Sequence, residues 1–432
     1  MPNLYNLNFM KYFWLLCTSA LLFSLSGCGS SGAKGELVGV QGRKPYKQDV
    51  PYGMVYIPAG TFIMGQADQD VTASRTAQNR QVTIAPFYMD ETEITNNEYR
   101  QFVLWVRDSI AAKTMGGNFV VKGEDGTEYI NPKQKVNYSA KNNPNAEQLK
   151  GMFYQGDDKI TGRNEFDVTK FIYQYTWFDL RAAALAQNRK KPRSSFIKRE
   201  KVAIYPDTLV WLADFSYAQN EPMVEQYFSH PAFDEYPVVG VNWKQANAFS
   251  AWRTEFNNTY RDKNKKPRRG AMSLPTEAQF EYAARGGRIG SDYPWGGPYI
   301  RNSKGCLLAN FKPGRGNYVD DGGFYTVNVK SYFPNDYGLY NMAGNVAEWT
   351  ASTYDESAYT FVHDMNPTYT TQENDASSLS QRRKVVRGGS WKDIGFFLQN
   401  GTRSYEYLDS AKSYIGFRCV GEHMGKQLGT KN

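Results

Sequence analysis

The chain has 432 residues, 41% hydrophobic and 15% aromatic, with a formal net charge of +8. That apolar share is enough for a sizeable core, and the aromatics, glycines and short polar turns favour a β-containing, loop-rich α+β fold over a helical bundle. Its three histidines, His230, His363 and His423, have no metal-ligand spacing, which sets aside a histidine-based metal centre.

In chain order, Phe13 to Leu25 form an apolar run too short for a bilayer, which takes about 20 residues. Lys11 precedes it and Leu25-Ser26-Gly27-Cys28 closes it. This pattern predicts a secretory signal over 1–27 ending in a bacterial lipobox, with Cys28 carrying the lipid. An ordinary cleavage site is the alternative. Translation from Met10 would place Lys11 directly before the apolar run, so Met1 and Met10 are both candidate starts. No Asp follows Cys28 and no acidic run comes after it. We therefore expect the outer membrane, periplasmic leaflet, with 28–50 as a tether. Behind a signal peptide the basic clusters at Arg189–Arg193, Lys198–Lys201, Lys263–Arg269 and Arg382–Lys384 do not point to nucleic acid. They read as solvated loops, or as a docking surface for an acidic protein or anionic lipid head groups.

Met54–Ile57 and Thr61–Met64 flank Pro58-Ala59-Gly60 and predict a β-hairpin; Gln81–Tyr88 predicts another strand. Thr95-Asn96-Asn97-Glu98 is a capping box, and Tyr99, Phe102, Val103, Val106 and Ile110 then recur on one helical face. Helix capping and surface exposure account for Asp90, Glu91, Glu93 and Glu98. A helix is predicted near Val168–Ala186. Asn242 caps a further helix that turns Ala246, Phe249, Trp252 and Phe256 inward. Thr276-Glu277-Ala278-Gln279 opens another, ending at Gly286, and strands and loops run from there to a polar tail over 422–432. Cys306 and Cys419 could pair or remain free; the sequence gives no distance between them.

Asn335 to Trp349 interleaves Gly338, Gly344, Asn335, Asn341 and Asn345 with Leu339, Met342 and Trp349. It is too broken for a helix or strand and reads as a buried loop whose carbonyls need partners. A calcium ion with the Glu348 carboxylate would satisfy them. So would an ordinary hydrogen bond or salt bridge at Glu348.

That block is similar to the GLYNxxGNVWEW signature of the formylglycine-generating enzyme (sulfatase-modifying factor) family. Gly53–Gly65, Phe87–Val103, Tyr236–Trp252, Leu274–Gly287, Tyr293–Gly297, Arg387–Trp391 and Tyr414–Cys419 resemble further family blocks in the family's order. The resemblance implies an irregular, C-type-lectin-like domain over 51–421, with a long insertion at about 108–235. Active members hold copper(I) through two cysteines after the RGGS motif, soft ligands that this ion requires. Arg387 to Arg403 contains no cysteine, and the two positions fall on Asp393 and Leu398. The implied protein is a pseudoenzyme without copper. The family's structural calcium sites fall on Asn341, Gly344, Val346 and Glu348, and on Asn310, Phe311, Asp321 and Gly323.

Within the family, 50–66, 87–102, the lipobox and the missing cysteines resemble the GldK/PorK-type lipoproteins of type IX secretion and gliding. This implies a ring-forming homo-oligomer on the outer membrane, with a GldN/PorN-type partner near a GldL–GldM motor. The insertion is expected to carry partner contacts, and deletion of 120–225 to leave a folded core. A calcium-dependent glycan or peptidoglycan binder and an oxidase with an altered cofactor are the alternatives.

Overall fold

Three reciprocal caps start the longer helices of the computed structural model, which describes residues 46, 48–66, 76–123, 128–131, 133–139, 143–314, 317–371 and 378–425. Gln48–Asn432 form one compact unit. Of the other, Met1–Lys47, only Tyr46 is described, so the leader, Cys28 and nearly all of the tether lie outside the described residues, as does the tail beyond Gly425.

Helix α1 (Asn96–Met115) begins where Thr95 accepts from Glu98 N and Glu98 accepts from Thr95 N at 2.9 Å. Helix α2 (Trp243–Lys263) starts with the same exchange between Asn242 and Gln245, and α3 (Glu277–Arg285) with Thr276 and Gln279. Each such cap contributes about 1 kcal/mol. Gly286 ends α3 in the left-handed region, φ 59°, where a glycine has no Cβ to strain. Helices α1 and α2 meet through rings, with Tyr99 stacked on Phe249 at 5.6 Å and Phe102 against Trp252 at 5.1 Å. Phe256 departs from the expected inward stripe: it is 46% exposed and stacks on the outer side of Trp252.

The first sheet orders β1 (Met54–Ile57), β4 (Phe87–Asp90), β14 (Val420–Glu422) and β9 (Met272–Ser273), all antiparallel. The last described strand therefore lies inside this sheet, between β4 and β9. The second sheet orders β12 (Ser404–Tyr407), β11 (Arg383–Arg387), β10 (Ala347–Thr353) and β13 (Ile415–Gly416), with β13 parallel to β10. Strands β2 (Gly60–Met64) and β3 (Arg80–Ile84) pair with each other. The predicted β1–β2 hairpin is thus not formed. Pro58 has no N–H to give a ladder, and the chain leaves β1 for a separate sheet. Ala85-Pro86 likewise divides the predicted strand Gln81–Tyr88 between β3 and β4.

The insertion adds two hairpins, β5 (Val120–Lys122) with β6 (Glu128–Ile130) and β7 (Ile172–Phe178) with β8 (Ile197–Ala203). Strand β7 replaces most of the helix predicted near Val168–Ala186, of which only Leu180–Ala184 is α-helical. Its β-branched and aromatic residues suit a pleated surface. Phe171, Val202, Ile204, Val210 and Trp211 are buried. Tyr99 donates to the Ile204 carbonyl at 2.8 Å, and Gln245 donates to the carbonyls of Ala203 and Tyr205. Deleting 120–225 would strip these residues from the core, so the expected folded remainder does not follow. No described helix is long and apolar enough to cross a membrane.

Cys306 is exposed, Cys419 is buried, and both thiols are free. Burial pushes the Cys419 thiol up to about 12, and Ser250 Oγ lies 3.3 Å from its sulfur.

Candidate functional site

The Asn335–Trp349 segment runs as a loop, buried throughout 341–346, until Ala347, where β10 begins. Gly338, Asn341, Gly344 and Asn345 take positive φ as their residue types anticipate. The close approach is tightest at Gly344, where a Cβ would lie 2.5 Å from the Asn310 carbonyl oxygen.

The loop's main-chain groups pair mostly with other main-chain groups, such as Tyr340 N with the Glu91 carbonyl, Gly344 N with that of Gly388 and Asn345 N with that of Asn310, and its side chains bond the elements around it. Asn335 donates to the carbonyls of Ala283 and Ala284 at the end of α3. Asn341 and Asn345 donate to the two oxygens of Glu93 at 3.1 and 2.9 Å. Glu348 accepts from Arg418 Nε at 2.8 Å and Nη2 at 2.6 Å, with both residues fully buried. Arg418 also donates to the carbonyls of Asp90, Glu91 and Tyr340. A guanidinium thus occupies the cationic role opposite Glu348. The set Asn341, Gly344, Val346 and Glu348 does not fit a calcium ion here, because a dication would face Arg418 across the carboxylate it needs.

Asp90 and Glu93 are 3% and 0% exposed, which corrects the expectation of surface carboxylates. Asp90 accepts from Arg253 and from Cys419 N at 2.7 and 2.8 Å. Burial pushes the Glu93 carboxyl up to about 8; Arg418 opposes the rise and Glu348 adds to it. A carboxyl raised in the native state binds its proton more tightly there than in the unfolded chain. Its contribution to stability is therefore full below about 4.5 and is lost as pH rises towards about 8. We expect the unfolding free energy of Glu93→Gln to gain on that of the unaltered protein between pH 5 and pH 8.5. Parallel urea titrations across that range check this, and a constant difference would refute it.

The second set is brought together. Asp321 accepts from Phe311 N at 2.6 Å and Gly323 N at 3.0 Å, and a Cβ at Gly323 would lie 3.1 Å from Asn310 Oδ1. Burial raises the Asp321 carboxyl, with those two N–H groups opposing. The residue types suit a hard cation, and, unlike Glu348, Asp321 faces no cationic side chain. Its two oxygens accept from main-chain N–H groups, so a cation would use their remaining lone pairs.

In the segment after β11, Asp393 and Leu398 are both engaged, with Ile394 between them 54% exposed. Asp393 accepts from Ser390 N and Oγ at 3.0 and 2.6 Å, so its carboxylate closes a turn. Leu398 is 0% exposed among Tyr293, Leu307, Ala309, Phe311 and Ala343. Trp391 stacks on Trp211 at 6.3 Å and meets Phe215 at 5.1 Å, two rings supplied by the insertion. Beneath it lies an ionic network of Glu277, Glu281, Arg285, Arg387 and Arg403. Arg403 and Arg387 outweigh burial and hold the Glu277 carboxyl below its usual range. Arg387 and Arg418 stood inside motif blocks without an assigned role; their partners, far off in sequence, gave no local signal.

The sulfatase-modifying factor enzyme 1-like domain family matches residues 42–423. Mouse formylglycine-generating enzyme is 26% identical over 377 residues, 86% of this chain and 75% of its own. The bovine inactive C-alpha-formylglycine-generating enzyme 2 is 27% identical over 376 residues, 85% of this chain and 87% of its own. Among solved structures, PvdO from Pseudomonas aeruginosa has a TM-score of 0.46 at 19% identity, covering 86% of this chain and 94% of its own. With a family match across most of its length, the chain belongs to the sulfatase-modifying factor enzyme 1-like family, whose relatives include both formylglycine-generating enzymes and proteins named as inactive.

Proposed function

We propose that the chain is a non-catalytic lipoprotein, anchored through Cys28 to the periplasmic leaflet of the outer membrane. It forms a homo-oligomeric ring of the type IX secretion and gliding machinery with a GldN/PorN-type partner near a GldL–GldM motor. The observation that carries the non-catalytic part is the state of the two positions after the RGGS motif. Asp393 is spent on a turn and Leu398 is buried in an apolar cluster, so neither can supply a soft thiolate to copper(I). The lipobox and the resemblance of the segments 50–66 and 87–102 support the address and the assembly.

Purified protein supplied with copper(I), oxygen and a cysteine-containing peptide is expected to consume no oxygen and form no aldehyde. Affinity purification from native membranes is expected to recover a GldN/PorN-type protein, and Cys28→Ser to release the chain from the membrane fraction. Aldehyde formation would overturn the non-catalytic reading. A membrane-free native protein without that partner would overturn the assembly.

Structural calcium is proposed at Asn310, Phe311, Asp321 and Gly323 alone. Calcium should raise the melting temperature relative to chelator, and Asp321→Asn should abolish the difference. An equal rise in both proteins would refute this site.

A further inference from the structure

The β7–β8 hairpin is a two-stranded sheet, so each strand keeps one open edge. Ile204 N donates to the Phe171 carbonyl at 3.0 Å and Asp179 N to the Phe196 carbonyl at 2.8 Å. With the observed register and the alternation of an antiparallel ladder, Tyr173, Tyr175 and Trp177 turn their main-chain groups towards β8. Ile172, Gln174, Thr176 and Phe178 turn theirs to the other edge, which pairs with no other strand among the described residues. Gln174 and Thr176 are exposed there.

The two edges differ. Strand β8 carries four consecutive charged residues, Lys198 to Lys201, whereas β7, Ile-Tyr-Gln-Tyr-Thr-Trp-Phe, carries none and no proline. Charge and proline are the usual guards of an exposed edge, and β7 has neither.

The surroundings are basic. Arg189, Lys190, Lys191, Arg199 and Lys201 are exposed around the hairpin. The carboxylates between Phe171 and Tyr205 are Asp179 and Glu200, and both are engaged. Asp179 is buried and caps Ala182 N, and Glu200 accepts from Tyr175 and Trp177. On the exposed face, Arg199 stands opposite Thr176 and Lys201 opposite Gln174; they lie on the strand behind the open edge and make positive the face that an added strand would extend. A second copy of this chain would bring the same cations to the joined face and so offers no charge complementarity. An extended segment bearing acidic residues at alternate positions would be matched in both hydrogen bonding and charge.

We propose that the open edge of β7 is a docking site for an extended acidic segment of a partner protein, which adds as a third strand. The inference rests on the hairpin alone and holds whether or not the secretion reading does.

The test uses the full-length protein in detergent and a short peptide alternating glutamate and threonine, with its lysine counterpart as control. Saturable binding of the glutamate peptide alone is expected, with amides of Gln174 and Thr176 gaining protection from hydrogen exchange. Thr176→Pro removes a donor that the hairpin does not use and should weaken binding about tenfold or more. Arg199→Glu with Lys201→Glu should do the same with the edge intact, which keeps the test valid if the proline variant misfolds. Equal binding of the two peptides, no binding, or unprotected amides in the complex would overturn the proposal. Self-association that Thr176→Pro abolishes and the peptide leaves untouched would assign the edge to a second copy instead.

Discussion

Arg418→Met is expected to lower the unfolding free energy by about 3–5 kcal/mol, the usual consequence of leaving one member of a buried ion pair without its partner. Glu348 is fully buried on β10, and both its oxygens accept from this guanidinium. The same side chain serves three carbonyls, of Asp90, Glu91 and Tyr340, so its loss also leaves main-chain acceptors dry. Pairing the substitution with Glu348→Leu should recover a large part of the cost by removing the stranded carboxylate, but not the share owed to the carbonyls. Urea unfolding of the single and double variants measures both parts. A single-variant cost below about 1 kcal/mol would mean that water reaches the pair.

Arg387→Met should cost a similar amount, about 3–5 kcal/mol, through a different route. Arg387 pairs with Glu277 and Glu281, both buried, and donates to the carbonyls of Asn400, Gly401 and Thr402. Arg285 still faces Glu281 and Arg403 still faces Glu277 in the variant, so the charges are not wholly stranded. The loop carbonyls are. We therefore expect faster amide exchange over 399–403 in this variant than in Arg418→Met at matched stability. Equal exchange there would show that the guanidinium does not hold the loop.

The helix starts were legible because a cap is a local chemical signal: Thr95, Asn242 and Thr276 each sit three residues before the Glu or Gln that answers them. The buried loop was legible for a similar reason, since asparagine and glycine at 338, 341, 344 and 345 tolerate the backbone it needs. Pairing was not. Nothing in Met54–Ile57 says that its neighbour will be β4 and not the strand two residues on; that choice is made by contacts distant in sequence. The same holds for charge. Glu93 and Asp90 looked like surface carboxylates because the cations and amides that accompany them come from Arg418, Asn341, Asn345 and Arg253. Strand β7 forms in place of the predicted helix because six of its seven residues are aromatic or β-branched, types that fit a pleated surface better than a helix.

The place of β14 inside the first sheet, between β4 and β9, has a consequence for biosynthesis. A nascent chain can make its capped helices early, but β4 and β9 cannot be bridged until Val420–Glu422 has emerged from the ribosome. Until Val420–Glu422 is in place, the first sheet stays open between β4 and β9. A stop between Ser273 and Val420 would leave β4 and β9 each with an edge that β14 would have paired, open to proteolysis.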